Sequence, residues 1–206
     1  MAIKGFKRYL QLAKNVTNPV DYFMGKGNRY KKPLVFTTKP GRITFQVPAS
    51  IYLVFKEIFM NDVYAIDDLI KKIPKNPVIV DIGANVGFFD ILMLSKLPEA
   101  EIYAYEPLAA NVDTLKKIID SNPSIQQSIA LYQYAVTGLP KEALYLSTSA
   151  KVRVCPKLEN AGLWAYLTQA SLNNSIIVAY ACVSICRAIL FGYFPCQKSL
   201  LSIIHL

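Results

Sequence analysis

The sequence predicts an α/β protein built on an open, doubly wound sheet of parallel strands. A continuous β-branched run, VIVDIG at 78–83, is typical of a strand that is buried on both faces. EIYAYEP at 101–107 and residues 128–136 predict two further strands, and residues 88–95 and 109–120 between them carry helical patterns. Strand, helix, strand, helix, strand with short connections is the order found in such sheets.

The chain ahead of the sheet begins with a predicted amphipathic helix, which we expect to pack on the domain. Basic residues separate an apolar face whose members recur at helical spacing. That face comprises Ile3, Phe6, Leu10 and Ala13. LVFTT at 34–38 and ITFQV at 43–47 flank a Pro-Gly turn, so they predict a β-hairpin.

Two more helices are predicted between the hairpin and the sheet. The first has Ser50 as its N-cap, and its apolar positions recur at helical spacing over 51–59. The second covers 65–73 and ends before Pro74 and Pro77, which cannot continue a helix. We therefore divide the chain into three parts: an N-terminal part at 1–77, a sheet half at 78–150 and a hydrophobic tail at 151–206.

Composition narrows the class of protein. Hydrophobic residues make up 53% of the chain and charged residues 18%, which favours a folded core over disorder. The formal net charge is +9, but the basic residues are scattered and no recognition-helix or RNA-binding motif is present. We therefore interpret the basic surface as solvated and do not predict a nucleic-acid partner.

The cysteines predict free thiols and no metal. They occur late, without a C-x-x-C motif, and the single histidine is His205. Residues 1–16 contain no uninterrupted apolar segment of the kind found in a secretory signal. We expect a cytoplasmic protein without a bound metal.

Gly83 and Gly87 lie where the first predicted strand turns into a helix. In an open α/β sheet, ligands bind beyond the carboxyl ends of the strands, and glycine allows a ligand to approach the main chain closely. Glu106 ends the second predicted strand, where a carboxylate can accept hydrogen bonds from both hydroxyls of a ribose. Each feature alone also has a purely structural interpretation. Together they predict a nucleoside site.

The residues between the glycines favour S-adenosylmethionine over a dinucleotide. In the G-x-G-x-x-G fingerprint the middle glycine admits the pyrophosphate, and here that position is Asn85. Asp81, two residues before Gly83, would repel a pyrophosphate but suits a ligand that carries an ammonium group. A nicotinamide-dependent oxidoreductase is therefore the weaker alternative.

Three segments together resemble the FkbM family of S-adenosylmethionine-dependent methyltransferases: EIFMNDVY at 57–64, VDIGANVGFF at 80–89 and AYEP at 104–107. The resemblance covers about residues 42–146 and implies the Rossmann-like fold of class I methyltransferases. It also implies methyl transfer to a hydroxyl oxygen, often on a sugar or natural product. A small-molecule or glycan acceptor is thus the expected partner.

The resemblance also implies residue roles. A loop around the methionine portion of the cofactor would comprise Asp81, Gly83, Ala84, Asn85 and Gly87. Glu106 would bind the ribose, and Phe88 would pack near the cofactor or, alternatively, serve as a core side chain. The expected reaction is in-line displacement at the sulfonium methyl by a substrate oxygen, which the protein aligns and deprotonates. No residue is assigned as the proton acceptor.

The resemblance fails in the C-terminal part. The family continues with a strand similar to D-L-L-K-x-D-x-E-G, but the last aspartate here is Asp120 and residues 161–206 contain no acid. Three explanations stay open: a segment translated out of frame or truncated, a tail that spans a membrane at 175–194, or a divergent completion of the core. We favour the first.

A missing fourth strand would have physical consequences. The first strand, VIVDIG at 78–83, would keep an unpaired apolar edge, and such edges aggregate. We therefore expect the 206-residue chain to fold poorly and to show little or no transferase activity. A non-catalytic or membrane-tethered remnant of a methyltransferase is the alternative from outside the enzymes.

Overall fold

A computed structural model describes residues 2–27 and 32–136, together with the main chain of four short strands beyond them. Helix α1 spans Lys7–Asn15 and helix α2 spans Val20–Gly27. Strands β1 and β2, at Leu34–Thr37 and Thr44–Val47, pair in an antiparallel hairpin, as predicted. One hydrophobic core joins this N-terminal part to the sheet that follows.

Helix α1 packs on the core through a different face from the one predicted. Leu12 is fully buried, whereas Phe6 and Leu10 are 74% and 59% exposed. The inward face also carries polar residues, Gln11 and Asn15, which made it resemble the solvent side in sequence. Their amides find partners inside: the Asn15 Nδ2 atom, for example, donates to the Phe59 carbonyl at 3.0 Å. Buried polar groups with partners are tolerated, so the face predicted from Phe6 and Leu10 is wrong.

An aromatic stack forms the centre of the core. Helix α3, Tyr52–Phe55, runs directly into a π-helical turn at Lys56–Met60. Phe55 stacks on Phe36 of β1 with 4.6 Å between the ring centroids, and Phe59 stacks on Phe45 of β2 at 5.0 Å. Offset ring pairs of this kind add to the free energy gained by burying apolar area.

The predicted positions of these helices hold, but their termini differ. Ser50 does not cap α3, because the chain enters through a 3₁₀ turn at Ala49–Ile51 without any side-chain cap. Helix α4 is a single turn, Ile66–Leu69, rather than the longer helix expected over 65–73. The helix follows Ala65, and the Oδ1 atom of Asp62, in the preceding turn, accepts the Ile66 N–H at 2.8 Å.

The parallel sheet confirms the predicted fold class, which is α/β and Rossmann-like. Its predicted strands and helices appear in the expected order: β3 at Val78–Ile82, α5 at Phe88–Lys96, β4 at Glu101–Tyr105, α6 at Ala109–Asp120 and β5 at Ile129–Tyr132. Strands β3, β4 and β5 are parallel neighbours with β4 in the middle. The register places Ile82 opposite Tyr105, so the carboxyl ends of β3 and β4 meet at one edge.

The other side of β3 is also paired, which corrects the expectation of an open edge. After the short strands β6 and β7 at Ala143–Tyr145 and Lys151–Arg153, β8 at Ile176–Tyr180 lies parallel to β3. Strand β9 at Leu201–Ile204 pairs antiparallel with β8, so the sheet order is β5-β4-β3-β8-β9. The argument that an exposed β3 edge would make the chain fold poorly thereby loses its basis.

The pairing of β8 also bears on the predicted membrane tail. The first three residues of β8 are β-branched and favour a strand. The surrounding apolar run at 175–194 nevertheless has the length of a bilayer-spanning helix. A spanning helix over the whole of 175–194 is therefore not supported, and residues 181–194 lie outside the described part of the chain. None of the helices in the described ranges has the length and apolar content needed to cross a bilayer.

Candidate functional site

The loop between β3 and α5 has an alternating backbone conformation. Gly83, Asn85 and Gly87 have φ angles of +82°, +54° and +74°. Left-handed backbone is free of steric cost for glycine and tolerated by asparagine, so the residue types fit the turn. Alternation of this kind can curl successive N–H groups toward a common centre, which makes a loop of this type receptive to negatively charged or acceptor atoms.

The N–H groups of this loop are directed at the end of β4. Those of Gly83 and Ala84 both donate to the Tyr105 carbonyl, at 2.8 and 3.0 Å. The Asn85 N–H donates to the Glu106 Oε2 atom at 2.9 Å. Glu106, the acid predicted to bind a ribose, is thus brought directly against the loop predicted to bind the cofactor.

Gly87 has a packing role as well as a conformational one. It stands at the N-terminus of α5, and a Cβ atom there would overlap the Leu115 side chain of α6. Leu115 is fully buried, so it has little room to move. Close contact between helices therefore demands glycine at this position, independently of any ligand.

Glu106 is nearly buried and well supplied with donors. It is 4% exposed, and its Oε1 atom accepts the Leu108 N–H at 2.9 Å and the Asn111 Nδ2 at 3.2 Å, in addition to the Asn85 bond on Oε2. Burial raises the pKa of Glu106, while the three donors oppose the rise. A carboxylate offers about four acceptor directions, so a further hydroxyl donor can still be accommodated.

Asp81 and Asp90 form the least expected part of the site. Asp81 is in β3 and Asp90 is in the first turn of α5; both are fully buried, and their four carboxylate oxygens meet no hydrogen-bond donor in the described part of the chain. Burial raises the pKa of Asp81 to about 7, the neighbouring Asp90 side chain acts to lower it, and the charge of Glu106 adds to the rise. Burial and Asp81 raise the pKa of Asp90 well above its ordinary value.

Sequence reasoning missed Asp90, although the sequence carried a signal. FFDILML at 88–94 is an apolar helical run with a single acid inside it. Acids are almost never fully buried unless they are paired, so a lone acid in such a run indicates a partner. Asp81 on the preceding strand is that partner.

The remaining predicted residues differ in their exposure to solvent. Ala84 and Phe88 are buried, and the Phe88 ring packs 5.3 Å from Phe45 in the aromatic stack, in agreement with the alternative that it is a core side chain. Asn85 is partly exposed. Tyr64, which ends the segment at 57–64, packs against Phe89 of α5 with 5.2 Å between the ring centroids.

Two tyrosines that were not predicted stand beside Glu106. Tyr105 and Tyr132 end neighbouring strands, β4 and β5, and their rings stack at 5.0 Å and 17°. They lie on the face of the sheet opposite Asp81, because side chains alternate along a strand and Asp81 is out of phase with Tyr105 in the register. Tyr105 is buried and Tyr132 is exposed, so only Tyr132 presents its ring to solvent at this edge.

Titratable side chains do not form a metal centre in the described ranges. A group of three or more histidine, cysteine, aspartate or glutamate residues placed to hold a metal ion is not found there. Cys155, Cys182, Cys186 and Cys196 lie outside those ranges.

Comparison with known proteins relates part of the chain to methyltransferases. No family model matches the chain. Over 78 residues it is 40% identical to Methyltransferase sdnD of Sordaria araneosa, a match covering 38% of this chain and 29% of that protein. Over 67 residues it is 33% identical to Methyltransferase 1 of Beauveria bassiana (strain ARSEF 2860), covering 32% of this chain and 25% of that protein. The chain thus spans less than a third of either relative.

Among solved structures, the chain is similar to a methyltransferase FkbM from Methylobacillus flagellatus KT. The match covers 51% of this chain and 33% of that one, at 12% identity and a TM-score of 0.34.

Proposed function

We propose that the protein binds S-adenosylmethionine in the loop at 83–87 and forms part of a methyltransferase of the FkbM type. The observation that carries the proposal is the contact between this loop and Glu106, at the edge where β3 and β4 end. A curled, glycine-containing loop beside an acid at the end of the next strand suits a nucleoside whose ribose faces the acid. The two methyltransferase relatives support the same class.

The residues present fit this cofactor better than a dinucleotide. The carboxyls of Asp81 and Asp90 lie buried at the base of the loop without donors, so a cation is the favourable neighbour and a pyrophosphate is not. S-adenosylmethionine carries an ammonium and a sulfonium group. Glu106 has acceptor capacity left for a ribose hydroxyl.

When bound, S-adenosylmethionine supplies an activated methyl group. The loop would hold the amino-acid end, Glu106 would fix the ribose, and the exposed ring of Tyr132, stacked on the buried Tyr105, would provide apolar surface at the same edge. These contacts set the position of the reacting methyl, and alignment is the main contribution a protein can make to such a displacement. The acceptor would be a hydroxyl oxygen of a sugar, glycan or natural product, as the FkbM resemblance implies.

Competition binding tests the cofactor. S-adenosylmethionine and S-adenosylhomocysteine should bind the purified chain, and NADH should fail to displace them; calorimetry with each ligand measures this directly. A Glu106→Gln variant should weaken binding about 10-fold or more, because the amide loses one charged acceptor and places an NH₂ group where N–H donors converge. Glu99→Gln, in the turn before β4, is the matched control and should bind as the wild type. Tight NADH binding instead would establish the oxidoreductase.

Methyl transfer is a separate proposal, because it depends on residues beyond the described sheet. The acids of the D-L-L-K-x-D-x-E-G strand have no counterpart in this sequence, so we expect the 206-residue chain to bind cofactor but to transfer little or no methyl group. Labelled S-adenosylmethionine with a panel of hydroxyl acceptors measures the transfer. Sequencing codons 140 to 206 in all three reading frames tests whether an acidic strand is encoded in another frame.

A further inference from the structure

The two ends of the cofactor loop are joined by a pair of acids. Asp81 is in β3, just before the loop, and Asp90 is in the first turn of α5, just after it. Their side chains are within hydrogen-bonding reach of each other, and both are fully buried. The pair therefore connects the strand to the helix beneath the loop that we assign to the cofactor.

Two carboxylates cannot form this bond. Each ionised carboxylate is only an acceptor, and no other described group donates to any of the four oxygens. A carboxyl-to-carboxylate hydrogen bond requires one proton between the two groups. Like charges at such short range in a buried site favour the same outcome, one proton held by two acids.

Among the residues that the structure describes, no positively charged side chain acts on the pair. The charged groups that act on Asp81 are Asp90 and Glu106, and on Asp90 it is Asp81. In the neighbouring strands the residues paired with Asp81 are Ala104 of β4 and Ala179 of β8, and neither type ionises. Burial then raises the pKa of both acids of the pair.

We propose that Asp81 and Asp90 share one proton in the protein without ligand, and that Asp90 is a positioning residue that holds the Asp81 carboxyl for the ammonium group of the cofactor. When the ammonium group arrives, the shared proton leaves to the solvent and the pair goes from one negative charge to two. The ligand cation balances the second charge. This proposal rests on the proposed function for its second half; the shared proton in the free protein stands without it.

The first half is tested on the free protein by carbon-13 NMR of labelled aspartate carboxyls. The two signals of the pair should titrate together, with at least one proton retained far above the ordinary aspartate value of about 3.9. In Asp90→Asn the retained proton should disappear, since the amide N–H donates to Asp81 in its place. The control Asp113→Asn, on the exposed side of α6, should leave the pair unchanged. Two independent titrations near the ordinary value would overturn the proposal.

The second half is tested by counting protons on binding. S-adenosylhomocysteine is titrated at about pH 6 in buffers of different ionisation enthalpy, and the slope gives the protons released. Wild type and Asp113→Asn should release up to about one proton, with affinity rising as much as about 10-fold per pH unit below the pKa of the pair. Asp90→Asn should bind with no release and a flat pH profile, which a merely structural role would not produce.

The outcomes separate the two proposals. Binding without proton release in the wild type overturns the role of Asp90 and leaves the cofactor assignment intact. A shared proton by NMR with no binding of S-adenosylhomocysteine or S-adenosylmethionine overturns the cofactor assignment and the role of Asp90, and leaves the shared proton standing. Should Asp90→Asn fail to fold, the wild-type titration and proton count alone decide.

Discussion

The buried and half-buried aspartates of this molecule differ in the number of hydrogen bonds that they accept. Asp67 of α4 accepts hydrogen bonds from the Lys14 Nζ atom at 2.7 Å, the Gln11 Nε2 atom at 3.0 Å and the Lys96 Nζ atom at 3.2 Å. Asp81 and Asp90 accept from no described donor. One acid ties α1, α4 and α5 together, whereas the other two lie at the base of the proposed cofactor loop.

The comparison shows that burial and hydrogen-bond donors together decide the protonation state of an acid. Burial acts to raise the pKa of Asp67, but the hydrogen bonds from Lys14 and Gln11 and the charge of Lys96 lower it to about 2. Asp81 is fully buried and has no donor among the described residues, and burial raises its pKa to about 7. The first arrangement stabilises the fold at neutral pH, and the second favours a protonated state until a cation arrives.

The pH dependence of stability should show both effects, with opposite signs. The pKa of Asp67 is depressed on folding, so its contribution is present above the unfolded value of 3.8 and is lost as pH falls toward 2. The pKa of Asp81 is raised, so stability should fall as pH rises from 3.8 to about 7, by on the order of 2–4 kcal/mol. Urea unfolding across this range should place the maximum near pH 4. A profile that rises steadily to pH 7 would contradict the assignment of the pair.

Removing Asp67, which accepts three hydrogen bonds, should strongly destabilise the protein. Asp67→Ala leaves the Lys96 ammonium, whose side chain is 6% exposed, without the carboxylate it contacts. We expect a loss of about 2–3 kcal/mol in the free energy of unfolding at pH 7, since an uncompensated, partly buried charge is costly. Urea titration measures it. Asp68→Ala, which breaks an exposed ion pair with Lys71, is the control and should leave the free energy of unfolding nearly unchanged.

Giving Asp81 a hydrogen-bond donor should stabilise the protein. Asp90→Asn gives Asp81 an N–H donor and removes one acid, so the free energy of unfolding at about pH 8 should rise by about 1–2 kcal/mol. The fall in stability between pH 4 and 7 should flatten in the same variant. Destabilisation at pH 8 with an unchanged slope would mean that Asp90 is held by a donor.

The smallest effect is expected at the outer edge of the Asp67 cluster. Lys14 is 56% exposed, so Lys14→Met loses an ion pair that solvent largely screens, and the expected cost is about 0–1 kcal/mol. The loss should shrink further in high salt, because screening weakens exposed pairs. A cost equal to that of Asp67→Ala would show that Lys14, not Lys96, is the main partner.

The sequence predicted the sheet well because its signals were local. The β-branched run of β3 and the periodic apolar face of α6 each specify their element without reference to the rest of the chain. The face of α1 and the pairing of β8 were mispredicted because distant partners decided them. Gln11 and Asn15 can face inward because Asp67 and the Phe59 carbonyl accept hydrogen bonds from their side-chain amides.

In the candidate site, too, local sequence signals were predicted and contacts between distant residues were not. The glycines and Glu106 were found because their spacing reports a strand-to-helix turn and the end of the next strand. Asp90 was missed because its partner is visible only when α5 lies against β3. Whether Phe88 faced a ligand or the core depended likewise on the rings of Phe45 and Phe59, which come from other elements.

The bonds from Gly83 and Ala84 to the Tyr105 carbonyl have a consequence for the order of assembly during synthesis. The glycine motif leaves the ribosome before the strand that shapes it, so a nascent chain ending near residue 100 carries every letter of the motif but lacks these bonds. Only when Tyr105 and Glu106 have emerged and β4 has aligned with β3 can the loop take its final form. The residues of the glycine motif therefore do not set the conformation of the loop by themselves, because the loop also bonds to the end of β4.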